Sequence, residues 1–89
     1  MTIHQLRVFM AVARHNSYTR AAEELRLTQP AVSAQVRELE RTLDSSFFER
    51  VGRTIVLTEA GKELLAYAQK VCTLLDEAKL VMEELGELK

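Results

Sequence analysis

The chain is poor in everything that staples or punctuates a fold. Its 89 residues include no Trp, one Cys, one Pro and three Gly, and aromatic residues make up 6%. A single cysteine, Cys72, rules out an internal disulfide and fits a reducing compartment. Gly52, Gly61 and Gly86 lie too far apart to form a phosphate-cradling loop. His4 and His15 are isolated, and no set of His, Cys, Asp and Glu has the spacing of a metal site. No Ser or Cys stands with a His in the arrangement of an activated nucleophile. No apolar run approaches the roughly 20 residues of a membrane span, and Met1 to Gln5 shows no basic-then-apolar leader. Enzyme chemistry, a metal, a cofactor and membrane insertion are therefore not expected, and a cytoplasmic location is.

What is present is ordinary for a small globular domain: 47% hydrophobic and 28% charged residues. The length supports one domain. A domain this small buries only about two thirds of its unfolded surface, so a partner chain would add stability. The net charge of −1 conceals a polarised chain. Residues 1–58 carry eight Arg against six acids, a net of +2; residues 59–89 carry four Lys against seven acids, a net of −3. The planar fork of Arg suits phosphate and guanine, whereas Lys is a solvated point charge.

Periodicity divides the chain into helices and one ribbon. Thr2 and Gln5 fit a capping box for a helix that carries Ile3, Leu6, Phe9, Met10 and Ala13 on one face. Asn16 tolerates a left-handed stop, and Ser17 caps the next helix. Tyr18 to Leu25 is short, with Ala21, Ala22 and Leu25 on one side. Arg26-Leu27-Thr28 is a tight turn with Leu27 directed inward. Thr28 caps a third helix, and Pro30 sits in its first turn, where a missing N–H costs nothing. Val32, Val36, Leu39 and Leu43 face the core, while Gln29, Ser33 and Arg37 share another side. Asp44-Ser45-Ser46 ends this helix. A short helix, a tight turn and a helix with one polar face form a helix-turn-helix, whose second helix enters the DNA major groove.

Phe47-Phe48-Glu49-Arg50 and Thr54-Ile55-Val56-Leu57 read as short strands about a Val51-Gly52-Arg53 turn. A two-stranded ribbon is marginal alone and must lean on the helices; Phe48 and Leu57 are the expected contacts. Thr58 then caps a long helix, with Glu59 favourable in its first turn. Leu64, Ala68, Val71, Leu75, Ala78, Met82 and Leu85 alternate by 4 and 3, which makes a heptad seam. Tyr67, Leu74, Val81 and Leu88 form a second stripe beside it. A helix apolar on two flanks packs on its own domain and on a second copy, so this seam is the expected homodimer interface. Cys72, beside the seam, is a small packing residue. Glu83, Glu84 and Glu87 form a solvated face. The expected architecture is mainly α: a winged helix-turn-helix of three helices and a two-stranded β wing over residues 1–58, then a dimerisation or linker helix over residues 59–89.

This order resembles the N-terminal DNA-binding domain of the LysR-type transcriptional regulators. The likeness is carried by His4-Gln5-Leu6-Arg7-Val8-Phe9 and by Ser17-Tyr18-Thr19-Arg20-Ala21-Ala22-Glu23-Glu24-Leu25. It continues through Thr28-Gln29-Pro30-Ala31-Val32-Ser33, Arg37-Glu38-Leu39-Glu40, Phe48-Glu49-Arg50 and Leu57-Thr58-Glu59-Ala60-Gly61, and covers nearly the whole chain. The resemblance implies a bacterial transcription regulator whose linker helix pairs with that of a second subunit. It also implies a C-terminal effector domain that senses a small-molecule inducer. Lys89 falls where the linker helix is expected to end, so the chain is expected to be the DNA-binding fragment without that domain. Two positions depart from the pattern: Ala34, where many members have Arg, and Asp44, where many have Gly.

On this reading Gln29, Pro30, Ala31 and Ser33 meet bases in the major groove, and Arg53 at the wing turn reaches the minor groove. Ser17, Thr28, Arg37 and Arg50 grip phosphate, as do Tyr18, Thr19 and Arg20 in the family-like role of the second helix. A two-fold homodimer expects an inverted-repeat operator. Each arginine also has a local alternative: Arg20 could pair with Glu24, and Arg37 with Glu38 or Glu40, in surface pairs worth little, while Arg50 and Arg53 could serve solubility and edge protection. A different class of function stays open at this point. The long helix dimerises while the winged domain has lost DNA binding, as the near-neutral charge and Ala34 would suit.

Overall fold

The computed structural model describes residues 1–87, Glu87 by its backbone alone. Helix α1 spans Ile3–His15, α2 Tyr18–Leu25 and α3 Gln29–Leu43; strands β1 (Phe48–Val51) and β2 (Thr54–Leu57) follow, then helix α4 (Glu59–Glu87). Local chemistry sets each boundary. The Thr2 hydroxyl accepts the Gln5 N–H at 3.0 Å and the Gln5 side chain accepts the Thr2 N–H at 3.1 Å, the reciprocal capping box. Ser17 and Thr28 cap α2 and α3 in the same way. Asn16, Arg26 and Asp44 each stop a helix in the left-handed conformation, with φ of 50°, 57° and 49°.

Arg26 in that conformation decides the turn. The Leu27 N–H closes back on the Ala22 carbonyl at 2.9 Å, a Schellman closure that swings Leu27 onto the outer flank. Leu27, expected inside, is therefore exposed.

Helix α1 is central, with α2, α3 and α4 all packed on it. Its buried surface is accordingly wider than a single stripe. Val8, Phe9, Ala11 and Val12 are inaccessible, while Ile3, expected on the core face, is exposed at the first turn. From α3, Val32, Val36 and Leu39 complete the core. The wing is seated by aromatics: Phe9 meets Phe47 and Phe48 with ring centroids 5.5 and 5.4 Å apart, and Phe48 meets Tyr18 at 5.9 Å. The strands pair antiparallel, from Phe48 opposite Leu57 to Val51 opposite Thr54. Val51 thus belongs to the strand, and the turn shrinks to Gly52-Arg53. Gly52 carries a φ of +62° at the first loop position, where a tight two-residue hairpin needs it. Phe48 is buried and Leu57 packs on the core as expected; Phe47 and Ile55 are buried with them.

Helix α4 is bolted to the wing. The Thr58 hydroxyl donates to the Ser46 carbonyl at 2.6 Å and accepts the Gly61 N–H at 3.0 Å, while the Thr58 N–H donates to Phe47 O at 3.0 Å. A Cβ on Gly61 would lie 2.2 Å from Phe47 O, so only glycine allows this approach. Ala68 is fully buried, Leu64 and Leu65 pack on the core, and the Cys72 thiol meets the Met10 sulfur at 3.7 Å. Two residues of the expected dimer seam are therefore corrected: Ala68 and Leu64 face their own domain. The first turns of the seam lie against α1, and from residue 76 to residue 86 every residue is exposed whichever way it points, because the helix has run past the body. Among the described residues beyond Cys72 only Leu75 is partly covered; Leu74, Ala78, Val81, Met82 and Leu85 are exposed, as are Tyr67 and Val71 before it. Leu88, expected in the second stripe, and Lys89, expected at the helix end, lie outside the described residues. The molecule measures 55 × 25 × 19 Å, its long axis reflecting this helix.

Candidate nucleic-acid interface

Three elements meet at one polar groove of about 260 Å³. The N-terminus of α2 contributes Asn16, Ser17, Tyr18 and Thr19; α3 contributes Gln29; the wing contributes Arg50, Arg53, Thr54 and Ile55. Six residues picked out by sequence pattern thus come together across 37 positions of chain: Ser17, Tyr18, Thr19, Gln29, Arg50 and Arg53. Asn16 and Thr54 join them without having been singled out. Asn16 read only as a helix stop and Thr54 only as a strand residue, so neither sent a separate signal.

The rest of the expected contact set lies along the exposed sides of α2 and α3. Arg20, Thr28, Pro30 and Arg37 are exposed; Ala31 and Ser33 are half-buried on the same helix as Gln29. None of these six lines the groove. Ala34 is exposed one position beyond Ser33, a bare surface where an Arg would protrude.

The ion pairs sort the arginines. Glu24 bonds Arg14 and His15, the latter at 2.8 Å, and is thereby taken from Arg20. Glu38 bonds Arg41. Glu40 accepts the Phe47 N–H at 2.8 Å, joining α3 to the start of the wing. Both acids that could have occupied Arg37 are committed elsewhere. Among the described residues Arg7, Arg20, Arg26, Arg37, Arg50 and Arg53 form no ion pair; of these six, Arg50 and Arg53 line the groove with their donors unspent. The structural role of Glu40 could not be read from spacing, because its partner lies seven residues away beyond a helix stop.

Tyr18 sits half-buried among these charges. Burial pushes its phenol pKa up, the Glu40 carboxylate adds to that, and Arg50 and Arg37 partly oppose it. The phenol therefore stays protonated and able to donate a hydrogen bond. On α3 the Gln29 amide donates to the Ser33 hydroxyl at 2.9 Å. No group of three or more His, Cys, Asp and Glu among the described residues could hold a metal ion. No helix among them is long and apolar enough to cross a membrane.

A helix-turn-helix with an exposed polar second helix, a basic hairpin beside it and a long helix behind defines a winged helix-turn-helix regulator. The family model for bacterial regulatory helix-turn-helix proteins of the lysR family matches residues 3–62, and the chain belongs to that family. Its relatives are named as transcriptional regulators, not as enzymes. A RuBisCO operon transcriptional regulator of Allochromatium vinosum is 58% identical over 85 residues, 96% of this chain and 28% of the relative. The HTH-type transcriptional activator CmpR of Synechocystis sp. is 44% identical over 88 residues, 99% of this chain and 29% of the relative. The chain thus spans under a third of the length of these relatives. Among solved structures, a BenM DBD complex with catB site 1 DNA superposes with a TM-score of 0.93 at 31% identity, covering 97% of this chain and 96% of the other. A CbnR DBD–DNA complex gives 0.90 at 31% identity, with 97% and 99% covered.

Proposed function

We propose that the chain binds double-stranded operator DNA sequence-specifically as a homodimer, as the DNA-binding part of a bacterial transcription regulator. One observation carries the reading. The polar side of α3, the start of α2 and the wing turn open onto one surface, and the arginines on it have no acid to neutralise them. A surface of unspent donors and positive charge fits a polyanion with hydrogen-bonding edges.

In this arrangement residues 29–43 lie in the major groove. Gln29, Pro30, Ala31 and Ser33 meet base edges, and residues 47–57 place Arg53 in the minor groove. Ser17, Tyr18, Thr19, Arg20, Thr28, Arg37 and Arg50 hold phosphates. The DNA-binding unit is residues 1–58 together with the first turns of α4 packed on them; the remainder of α4 is the linker. Two copies pair through the exposed stripe Tyr67, Val71, Leu74, Ala78, Val81 and Leu85, which alternates by 4 and 3. Met82 flanks that stripe, and Leu75 lies at its half-covered edge. Two-fold pairing requires inverted-repeat half-sites about one or two helical turns apart. A small-molecule inducer would bind a C-terminal effector domain in the longer protein, which would act in the bacterial cytoplasm, at the nucleoid when bound. Similarity to the Allochromatium regulator makes a RuBisCO operon promoter the first target to try.

The test is a titration of labelled promoter DNA at several salt concentrations. Specific binding that weakens steeply with salt is expected, and Gln29→Ala should relax choice at one base pair by about 1–3 kcal/mol. Indifference to DNA at low salt would overturn the reading.

A further inference from the structure

The two polar side chains nearest the start of α3 are joined to each other. Gln29 Nε2 donates to Ser33 Oγ at 2.9 Å, one helical turn on. Gln29 is otherwise exposed, and an exposed glutamine has several rotatable bonds and little to hold it in one arrangement. The bond to Ser33 supplies that hold before any DNA arrives.

The bond also changes what the amide can offer. A glutamine side chain has two N–H donors and one carbonyl acceptor. With one N–H committed to Ser33, one N–H and the Oε1 acceptor remain. Adenine presents one acceptor, N7, and one donor, N6–H, in the major groove; guanine presents two acceptors, N7 and O6. The remaining pair matches adenine. Guanine would call on both donors, one of which is occupied.

We propose that Ser33 is a positioning residue that sets the Gln29 amide to prefer adenine over guanine, acting through Gln29 in addition to any contact of its own with DNA. This rests on the DNA-binding reading above and adds to it an ordering of two side chains on the unbound protein. Preorganisation of this kind lowers the cost of ordering on binding, and the committed donor sets which base is preferred.

The experiment uses the 89-residue chain and a randomised duplex library. Duplexes selected by the wild-type chain are then remade with A·T replaced by G·C at each position, and binding is measured for Ser33→Ala, Ser33→Thr, Gln29→Ala and the double variant. At the base pair read by Gln29, Ser33→Ala should lower the adenine-over-guanine preference about three- to tenfold, the net worth of one hydrogen bond. Ser33→Thr, which keeps the hydroxyl, should retain the preference. In the Gln29→Ala background, Ser33→Ala should have no further effect on it. Each preference is read as the ratio of affinities for the paired A·T and G·C duplexes, so that any common change in binding cancels. An equal loss from Ser33→Ala with or without Gln29 would show that Ser33 does not act through Gln29 and overturn the proposal. So would an unchanged preference in Ser33→Ala when Gln29→Ala abolishes it. Failure of the wild-type chain to select any sequence would instead bring down the DNA-binding reading, and this proposal with it.

Discussion

The body of the molecule and the far half of α4 carry the same kind of periodic apolar pattern and treat it in opposite ways. In the body, Val8, Phe9, Val12, Val32, Val36 and Leu39 are all but inaccessible. Along α4 past Cys72, Leu74, Met82 and Leu85 stay 63%, 60% and 53% exposed. Periodicity announces that a helix has an apolar face; it does not say what covers that face. In the body three helices and a wing close over α1. The far half of α4 has run past everything in its own chain that could cover it, so its cover must come from elsewhere, and a second copy is the proposed one.

That contrast can be broken by paired truncations. Phe9→Ala should lower stability by about 3–5 kcal/mol in urea unfolding, because it empties a site touched by Phe47 and Phe48. Leu74→Ala should leave unfolding within about 0.5 kcal/mol once dissociation is accounted for. Equal losses at the two sites would erase the distinction. Next in size, Gly61→Ala should cost about 1–3 kcal/mol, read as a lower melting temperature, because the added Cβ meets the Phe47 carbonyl, which is backbone and gives way poorly.

Leu74→Glu should convert dimer to monomer in sedimentation velocity while the circular dichroism of the body is kept. A dimer that survives would move the interface off this stripe. Ala34→Arg should tighten DNA binding and steepen its salt dependence by about one unit of slope, since it restores a cation to an exposed position on α3. The smallest effect concerns Glu24, whose carboxyl is held below the usual range by its bonds to Arg14 first and His15 second. Such a group stabilises the fold above its ordinary value and stops doing so as pH falls through the lowered one. Glu24→Gln should therefore be slightly less stable than wild type near neutral pH, and the gap should close on acidification.

Much of the fold was legible from short-range chemistry. The caps at Thr2, Ser17, Thr28 and Thr58, the stop at Asn16 and the glycine of the wing turn each depend on atoms within a few residues, and each stands as read. The residues proposed to face DNA were legible as types at separate places along the chain, yet only the packing brought Thr19, Gln29 and Arg53 to one groove. What could not be read is a left-handed stop at a residue with no bias toward it, and partners beyond a residue's own helix. Arg26 turns left-handed and carries Leu27 outward. Glu40 holds the wing across a helix stop. Glu24 chooses Arg14 and His15 over Arg20, and that choice frees Arg20 for a partner outside the chain.

The amino-acid order alone determined where the helices begin and end, where the two-stranded ribbon lies to within a residue, and which side of most elements is apolar, because hydrogen bonds at helix ends and side-chain period are local. Only the tertiary structure decided which part of the long apolar stripe was spent inside the protomer. Ala68 is buried and Met82, two heptads further along the same seam, is not, although both sit on one unbroken helix. The reason is geometric: the helix passes the edge of the body between them, and burial depends on what stands opposite a side chain, which no local pattern encodes.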